Sequence, residues 1–437
     1  MSTESITVSN HNSVTESNNK HLKKITYPMV FSVLCSMFFL WGLPNVLNGI
    51  IMPKLQLGFH LTNLQTGIID SSFYFGYFFA PIIAAFIANK FGFKITIIFG
   101  LLALTFGSFI CAISSDWYVF LPFLIGLFVM AGGCGFLESS ANPIATLLGP
   151  KDFASFRLNF AQIFNALATV LTALIGGILI LNPSSFLSKD QLAQLSDEAT
   201  HSYFYHLVSS LTTPYLIIAV ILLIATICII FVKFPKESEL GDAGQSSDGY
   251  IKTFKRVIQI SHFRWALFAM FLMNGCQNGL WGWMIRFSSM KLNISMSSAS
   301  YFYTYVILGA LFGRVFGSYL LHKYKAHTVL GTLSSIAGLL AIFSVFLPGM
   351  MAIYSLFLAS FFAATLYPTI FSLGIAGLGR DTKIGSTFMV MMIVGSSFMV
   401  PIMGFIADHV TNFSAIELIP ALGWLIIGYY GFKKAVE

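Results

Sequence analysis

The sequence predicts an all-α membrane protein with twelve transmembrane helices in two six-helix halves, and three observations carry that prediction. First, charged residues make up 9% of the chain and hydrophobic ones 56%, with a mean hydropathy of +0.80, where soluble domains hold about 25% charged residues. A soluble chain of 437 residues would need far more polar side chains to cover its cores. Second, the apolar residues come in runs of about 20, the length an α-helix needs to cross hydrocarbon. Third, Lys and Arg sort to one side when successive runs are made to alternate in direction.

The runs lie near 27–51, 62–88, 94–114, 117–148, 157–182, 212–232, 264–288, 298–321, 327–347, 350–377, 383–407 and 414–432. Here they are numbered spans 1 to 12. Residues 1–26 form a polar tail rich in Ser, Thr and Asn with no cleavable apolar leader. The sequence divides into an N-terminal half at 27–232, a linker at 233–263 and a C-terminal half at 264–437. The linker carries Lys233, Lys236, Lys252, Lys255 and Arg256. The other long connection, 183–211, is polar, not basic, and falls on the opposite side. With the N-terminus in the cytoplasm, 19 Lys and Arg fall on the cytoplasmic side and 4 outside, while Arg314 sits within span 8. Both termini are therefore expected in the cytoplasm. The net charge of +7 reads as a topology signal with no nucleic-acid partner. Cys35, Cys111, Cys134, Cys228 and Cys276 all lie in apolar runs without CxxC or His spacing, so they read as small hydrophobes, and no metal site is expected.

The halves echo each other. The sequence Ala88-Asn-Lys90-Phe-Gly92 follows span 2, and His322-Lys323-Tyr-Lys325 follows span 8; Pro143 in span 4 stands 225 residues before Pro368 in span 10. Leu148-Gly149-Pro-Lys151 and Leu378-Gly379-Arg380-Asp381 are separated by 230. A near-constant offset is the mark of a duplicated six-helix unit. Two such halves around a central cavity make the major facilitator architecture.

Ionisable groups at membrane depth are costly and so mark function. Asp70 in span 2 and Glu138 in span 4 are the two acids deep within predicted spans. Asp116, Asp408 and Glu417 fall near span ends and read as interfacial caps. Arg314 is expected to snorkel to the cytoplasm or to pair with an acid. Glu138 is followed one turn later by Asn142 and then Pro143, which frees a backbone carbonyl. Span 5 carries Asn159, Gln162 and Asn165 at intervals of three. Span 7 carries Asn274, Gln277, Asn278 and Trp281, and span 1 carries Trp41, Asn45 and Asn48. One such stripe is what interhelical hydrogen bonding produces. Three stripes around a buried carboxylate suit a cavity for a neutral polyhydroxylated solute, because each amide offers both a donor and an acceptor.

These residues resemble the L-fucose permease family of the major facilitator superfamily, the sugar:proton symporters, over nearly the whole chain beyond the first 25 residues or so. The resemblance is dense in Phe38-Phe-Leu-Trp41, Phe73-Tyr-Phe-Gly-Tyr77-Phe, Leu137-Glu138-Ser-Ser-Ala-Asn142-Pro143, Asn159-Phe-Ala-Gln162-Ile-Phe-Asn165, Tyr367-Pro-Thr-Ile-Phe-Ser and Glu417-Leu-Ile-Pro. It implies that Glu138 matches the family's essential span-4 carboxylate, and that Gln162 and Asn165 match its sugar-contacting amides. Trp41, Asn45, Asn48, Asn142, Gln277, Trp281 and Tyr367 complete the expected substrate site. Two positions depart from the family pattern. Gly49 stands where the family carries an Asp in span 1, and Asp70 stands where it usually carries Gln. Asp70 is therefore expected to share proton coupling with Glu138.

The expectation is a non-enzymatic secondary transporter taking up L-fucose or a related hexose with protons, by alternating access, as a monomer in a bilayer of inner-membrane type. No cofactor is expected beyond the coupling proton. An uncoupled or differently coupled glucose/galactose facilitator is the alternative, and Gly49 keeps it open.

Overall fold

The computed structural model describes residues 28–61, 63–179, 187, 189–234, 250–294 and 296–435. It is a helical membrane protein of the predicted class. Bilayer-spanning chains must satisfy every backbone group internally, and the apolar runs do so as helices. Spans 1 to 6 are Pro28–Gly58, Asn63–Phe91, Phe93–Asp116, Phe120–Leu147, Ala154–Leu179 and Thr212–Phe231. Spans 7 to 9 are Ser261–Leu292, Met296–Lys323 and Ala326–Phe346. Span 10 is split into Gly349–Ala363 and Leu366–Ile375, and span 11 into Thr382–Met391 and Gly395–His409. Span 12, Leu418–Tyr429, is entered through a tight turn at Phe413–Glu417.

Among the described residues nine helical stretches are long and apolar enough to cross a membrane, and spans 1, 5 and 7 fall outside that set. These are the three spans with predicted amide stripes. In span 7, Asn274, Gln277 and Asn278 replace apolar residues and lower the hydropathy of a helix that is 32 residues long. Large apolar side chains such as Phe86, Phe106 and Phe346 are exposed around the bundle, as a lipid-facing surface requires.

Small residues let the helices approach. A Cβ added at Gly76 of span 2 would lie 2.7 Å from Phe128 O of span 4, and one at Gly313 of span 8 would lie 1.9 Å from Phe361 O of span 10. The two halves meet where span 5 packs on spans 8 and 10, and span 11 on spans 2 and 4.

Both long connections contain helices among their described residues. The polar loop 183–211 contains the helix Asp197–Ser209, whose start is capped by Ser196 accepting from the Ala199 N–H at 3.3 Å. It packs over the end of span 1, where Lys54 Nζ donates to Ser210 Oγ at 2.8 Å and the His60 and Phe204 rings lie 4.4 Å apart. The linker contains the helix Tyr250–Val257, and span 7 begins at Ser261, three residues earlier than expected. Arg256 holds that linker helix down through a two-pronged bond to Asp381, at 2.7 and 2.6 Å.

Candidate functional site

Glu138 lies two-thirds of the way along span 4 and is only 7% exposed. Span 4 is held at its far end by Arg157 of span 5, whose guanidinium donates to Ala145 O, Thr146 O and Pro150 O. A cation on the last carbonyls of a helix satisfies acceptors that the helix itself cannot. The Glu138 carboxylate is thereby fixed in register, and its Oε2 accepts the Tyr367 hydroxyl of span 10 at 2.5 Å. Tyr77 of span 2 also reaches this carboxyl, and the Arg314 guanidinium of span 8 lies within electrostatic range. Asn142, one turn on, is fully buried within reach of the Tyr367 hydroxyl.

A second bridge crosses the halves beside it. Arg314 Nη1 donates to the Gln162 carbonyl at 2.9 Å and to Gln162 Oε1 at 3.0 Å. Arg314 therefore does not run to the interface, and its nearest hydrogen-bond acceptor is an amide of the opposite half. Asn159 Nδ2 donates to Thr369 Oγ1 at 3.0 Å, and Ser155 and Ser372 share a hydrogen bond of 2.5 Å. Lys383 Nζ of span 11 donates to Ala88 O of span 2 at 3.0 Å. These cross-half bonds all sit toward the end of the bundle where spans 2, 4, 8 and 10 finish, so that end is closed.

The remaining predicted residues divide into two groups. Asn165 of span 5 is half-buried with Nδ2 donating to Phe38 O at 3.2 Å. Gln277 is 8% exposed, and among the described residues its Nε2 has no hydrogen-bond partner. Trp281 is half-buried with Nε1 on Ser360 Oγ at 3.1 Å. Asn278 and Asn274 engage Ser396, the first through its side chain at 2.7 Å and the second through its backbone carbonyl at 3.1 Å. Trp41 is buried to 1% exposure against Phe38, their rings 4.4 Å apart. The side chains of Asn45, Asn48 and Asp70 lie outside the described residues.

Sequence reasoning gave Arg314 the cytoplasm or an acid as partner, where its hydrogen bonds go to Gln162 with Glu138 in electrostatic range, and it gave no place to Tyr77. Glu417, read as an interfacial cap, is instead fully buried. The turn Phe413–Glu417 packs between spans 7, 9 and 11 and carries the acid inward.

As a whole the site is a closed seam between two helix bundles, built around one carboxylate, one guanidinium and several amides. Such groups can exchange a proton and can pair with hydroxyls. Residues 29–402 match the model of the Major Facilitator Superfamily. The chain is 38% identical over 405 residues to the L-fucose-proton symporter of Escherichia coli strain K12, covering 92% of each. It is 28% identical over 407 residues to a glucose/galactose transporter of Brucella abortus, covering 93% of this chain and 94% of that one. Among solved structures, the FucP transporter in the outward conformation superposes with a TM-score of 0.86 at 38% identity, covering 94% of this chain and 99% of the other.

Proposed function

The chain belongs to the Major Facilitator Superfamily, in the family of the L-fucose permeases, and on that premise we propose that it carries L-fucose or a closely related hexose inward together with protons. The observation that supports this reading best is the pair of cross-half bridges, Tyr367 to Glu138 and Arg314 to Gln162. The first joins the proton-accepting acid to the opposite half. The second occupies an amide that a sugar hydroxyl would use. Protonating the acid and seating the sugar thus act on the same seam, and both ligands bear on whether the halves separate. Alternating access follows when the closed end opens and the other end shuts.

In this reading Glu138 carries the coupling proton and Asp70 shares it. Gln162, Asn165 and Gln277 pair with sugar hydroxyls, with Asn45, Asn48 and Asn142 around them. Tyr367 changes partner from acid to sugar, and Trp41 and Trp281 shape the apolar side. The unpartnered Gln277 Nε2 favours a hydroxylated ligand on the C-terminal half. The division into 27–232 and 264–437 supplies the two rocking bodies. The Lys and Arg distribution supports a cytoplasmic side for both termini and the closed end, and in this reading the protein works as a monomer in an inner membrane.

Gly49 and the glucose/galactose transporters among the relatives support the second reading, a facilitator with another coupling. One experiment separates them. Labelled L-fucose, galactose and glucose are offered to proteoliposomes with and without an acidic exterior. Accumulation of L-fucose above the outside level only with the gradient is the expected result. Equal entry with and without it would establish a uniporter.

A further inference from the structure

The bridges leave one deeply buried acid unused. Glu417 has 0% exposure, and among the described residues neither carboxyl oxygen has a hydrogen-bond partner. It closes the turn Phe413–Glu417, and the three residues before that turn, 410–412, are exposed. The acid is therefore a few residues from water and sealed from it.

Phe413 supplies the seal. It stands about 8 Å further out along a 3₁₀ turn that rises ~2.0 Å per residue. Its ring packs on Trp283 at 6.1 Å between centroids, and the Arg286 guanidinium stands 5.5 Å from its centre. Span 12 meets span 7 where Gly423 faces Cys276, since a Cβ there would lie 2.2 Å from the Cys276 sulfur. Counted from that level toward Phe413, Glu417 lies about 9 Å away on span 12 and Arg286 about 15 Å away on span 7, at ~1.5 Å per residue. Arg286 is therefore rooted about 6 Å above Glu417 by the same rise, which an arginine side chain can span.

An isolated ionised carboxylate in apolar surroundings is so costly that it takes up a proton or finds a cation. The elements packed against the turn are spans 7, 9, 11 and 12. Span 7 offers Cys276, Arg286 and Lys291, and Lys291 is engaged with Val345 O and Leu347 O. Span 9 has His327 at its opposite end. Span 11 offers Asp408, whose side chain is outside the described residues, and His409, which bonds Phe405 O. Span 12 adds Tyr429 and Tyr430 at its far end. Arg286 is thus the cation placed to receive an ionised Glu417, and Phe413 is what separates them.

We propose that Glu417 is a proton-exchange site at the outer end of the C-terminal half, neutral and sealed beneath Phe413 here, and paired with Arg286 when ionised. In the exchange the carboxyl O–H bond breaks, the proton passes to outer water, and Phe413 turns aside as the guanidinium takes its place. Only the term "outer" and its use in transport rest on the proposed function, because the site itself is a property of the sugar-free protein.

The test is infrared difference spectroscopy of the full-length protein in liposomes, titrated without sugar. The wild type should show a neutral-carboxyl carbonyl band that is missing from Glu417→Gln and that bleaches as pH rises. In Arg286→Ala the ionised form loses its partner, so bleaching should require at least tenfold lower proton concentration, and Arg286→Lys should bring the midpoint most of the way back to the wild type's. A wild-type band that does not respond to pH, or an Arg286→Ala midpoint equal to the wild type's, overturns the proposal. If Glu417→Gln does not fold, the two Arg286 variants carry the test on the native acid. Failure of gradient-driven uptake would remove the symport reading and leave this spectrum as it stands.

Discussion

Tyr367 donates its hydroxyl hydrogen to Glu138 Oε2 across 2.5 Å, joining a tyrosine of the C-terminal half to a buried carboxyl of the N-terminal half. A hydrogen bond to a charged group contributes about 1.5–3 kcal/mol, so the protonation of one acid weighs directly on the contact between two six-helix bodies.

Removing the charge should therefore uncouple transport without emptying the sugar site. Glu138→Gln is expected to abolish accumulation against a gradient while exchange between equal sugar pools persists. The measurement is paired uphill-uptake and counterflow assays in proteoliposomes. Normal accumulation in this variant would remove Glu138 from the coupling step.

In the proposed function Gln162, Asn165 and Gln277 pair with sugar hydroxyls. An unpaired hydroxyl or amide costs about 1–3 kcal/mol, so alanine at any one of them should weaken sugar binding roughly 5- to 150-fold by the same figure. Calorimetric titration of the purified protein with L-fucose reads this directly. Unchanged affinity in all three would return these amides to helix packing.

The closed end depends on Asn159 with Thr369 and Ser155 with Ser372. Each such bond is worth about 0.5–1.5 kcal/mol. Asn159→Ala combined with Ser372→Ala should raise the population open at this end by roughly 5- to 150-fold, taking the two together. Spin-label distances between the start of span 5 and the end of span 8 report that population, and unchanged distance distributions would refute the assignment.

Asp70 stands on span 2 of the half that lacks an acid at Gly49. If it shares the coupling proton, Asp70→Asn loses pH-driven accumulation and retains exchange. Persistence of accumulation would leave Glu138 as the sole carrier.

Gly313 is next to Arg314, and its missing side chain lets span 8 lie against span 10. Gly313→Ala would press a methyl group to 1.9 Å from Phe361 O, and overpacking of this kind costs about 1–3 kcal/mol. Gly282→Ala is the matched control, because its Cβ would meet Val400 at 4.0 Å. Thermal denaturation in detergent should separate the two variants clearly.

Hydropathy made the spans and the depth of Glu138 readable, because a bilayer imposes length and composition on each helix separately. The amide stripes were readable for the same reason, as polar residues at helical spacing stand out against apolar runs. The partners across the seam were not. Arg314 and Gln162 are 152 residues apart, and no periodicity within either span encodes which helix of the other half it will face. The Glu417 reading failed for a related reason. Position near a span end implies water only if the preceding loop stays outside, and here that loop is a packed turn. The helix Asp197–Ser209 did carry a signal, with Ser196 before Asp197 and Glu198, which is a helix start in an otherwise polar stretch.

The prolines at 143 and 368 occupy matching places in the duplicated halves and have opposite effects. Pro143 sits inside an unbroken span 4, whereas span 10 stops at Ala363 and resumes at Leu366, with Pro368 in the first turn of the new helix, where its missing N–H costs nothing. Span 4 is a rod and span 10 has a joint. Tyr367, Thr369 and Ser372 all ride on the ten-residue segment beyond that joint, while Gly349–Ala363 stays packed on spans 8 and 9. The Tyr367, Thr369 and Ser372 bonds can consequently form or release by rotation of one short segment, faster than a rigid-body movement of six helices. Arg314 and Lys383, bonded to Gln162 and Ala88, lie on spans 8 and 11 and part from them only when those helices move. Release of the closed end can then be stepwise, the short segment letting go of its bonds before the longer helices part.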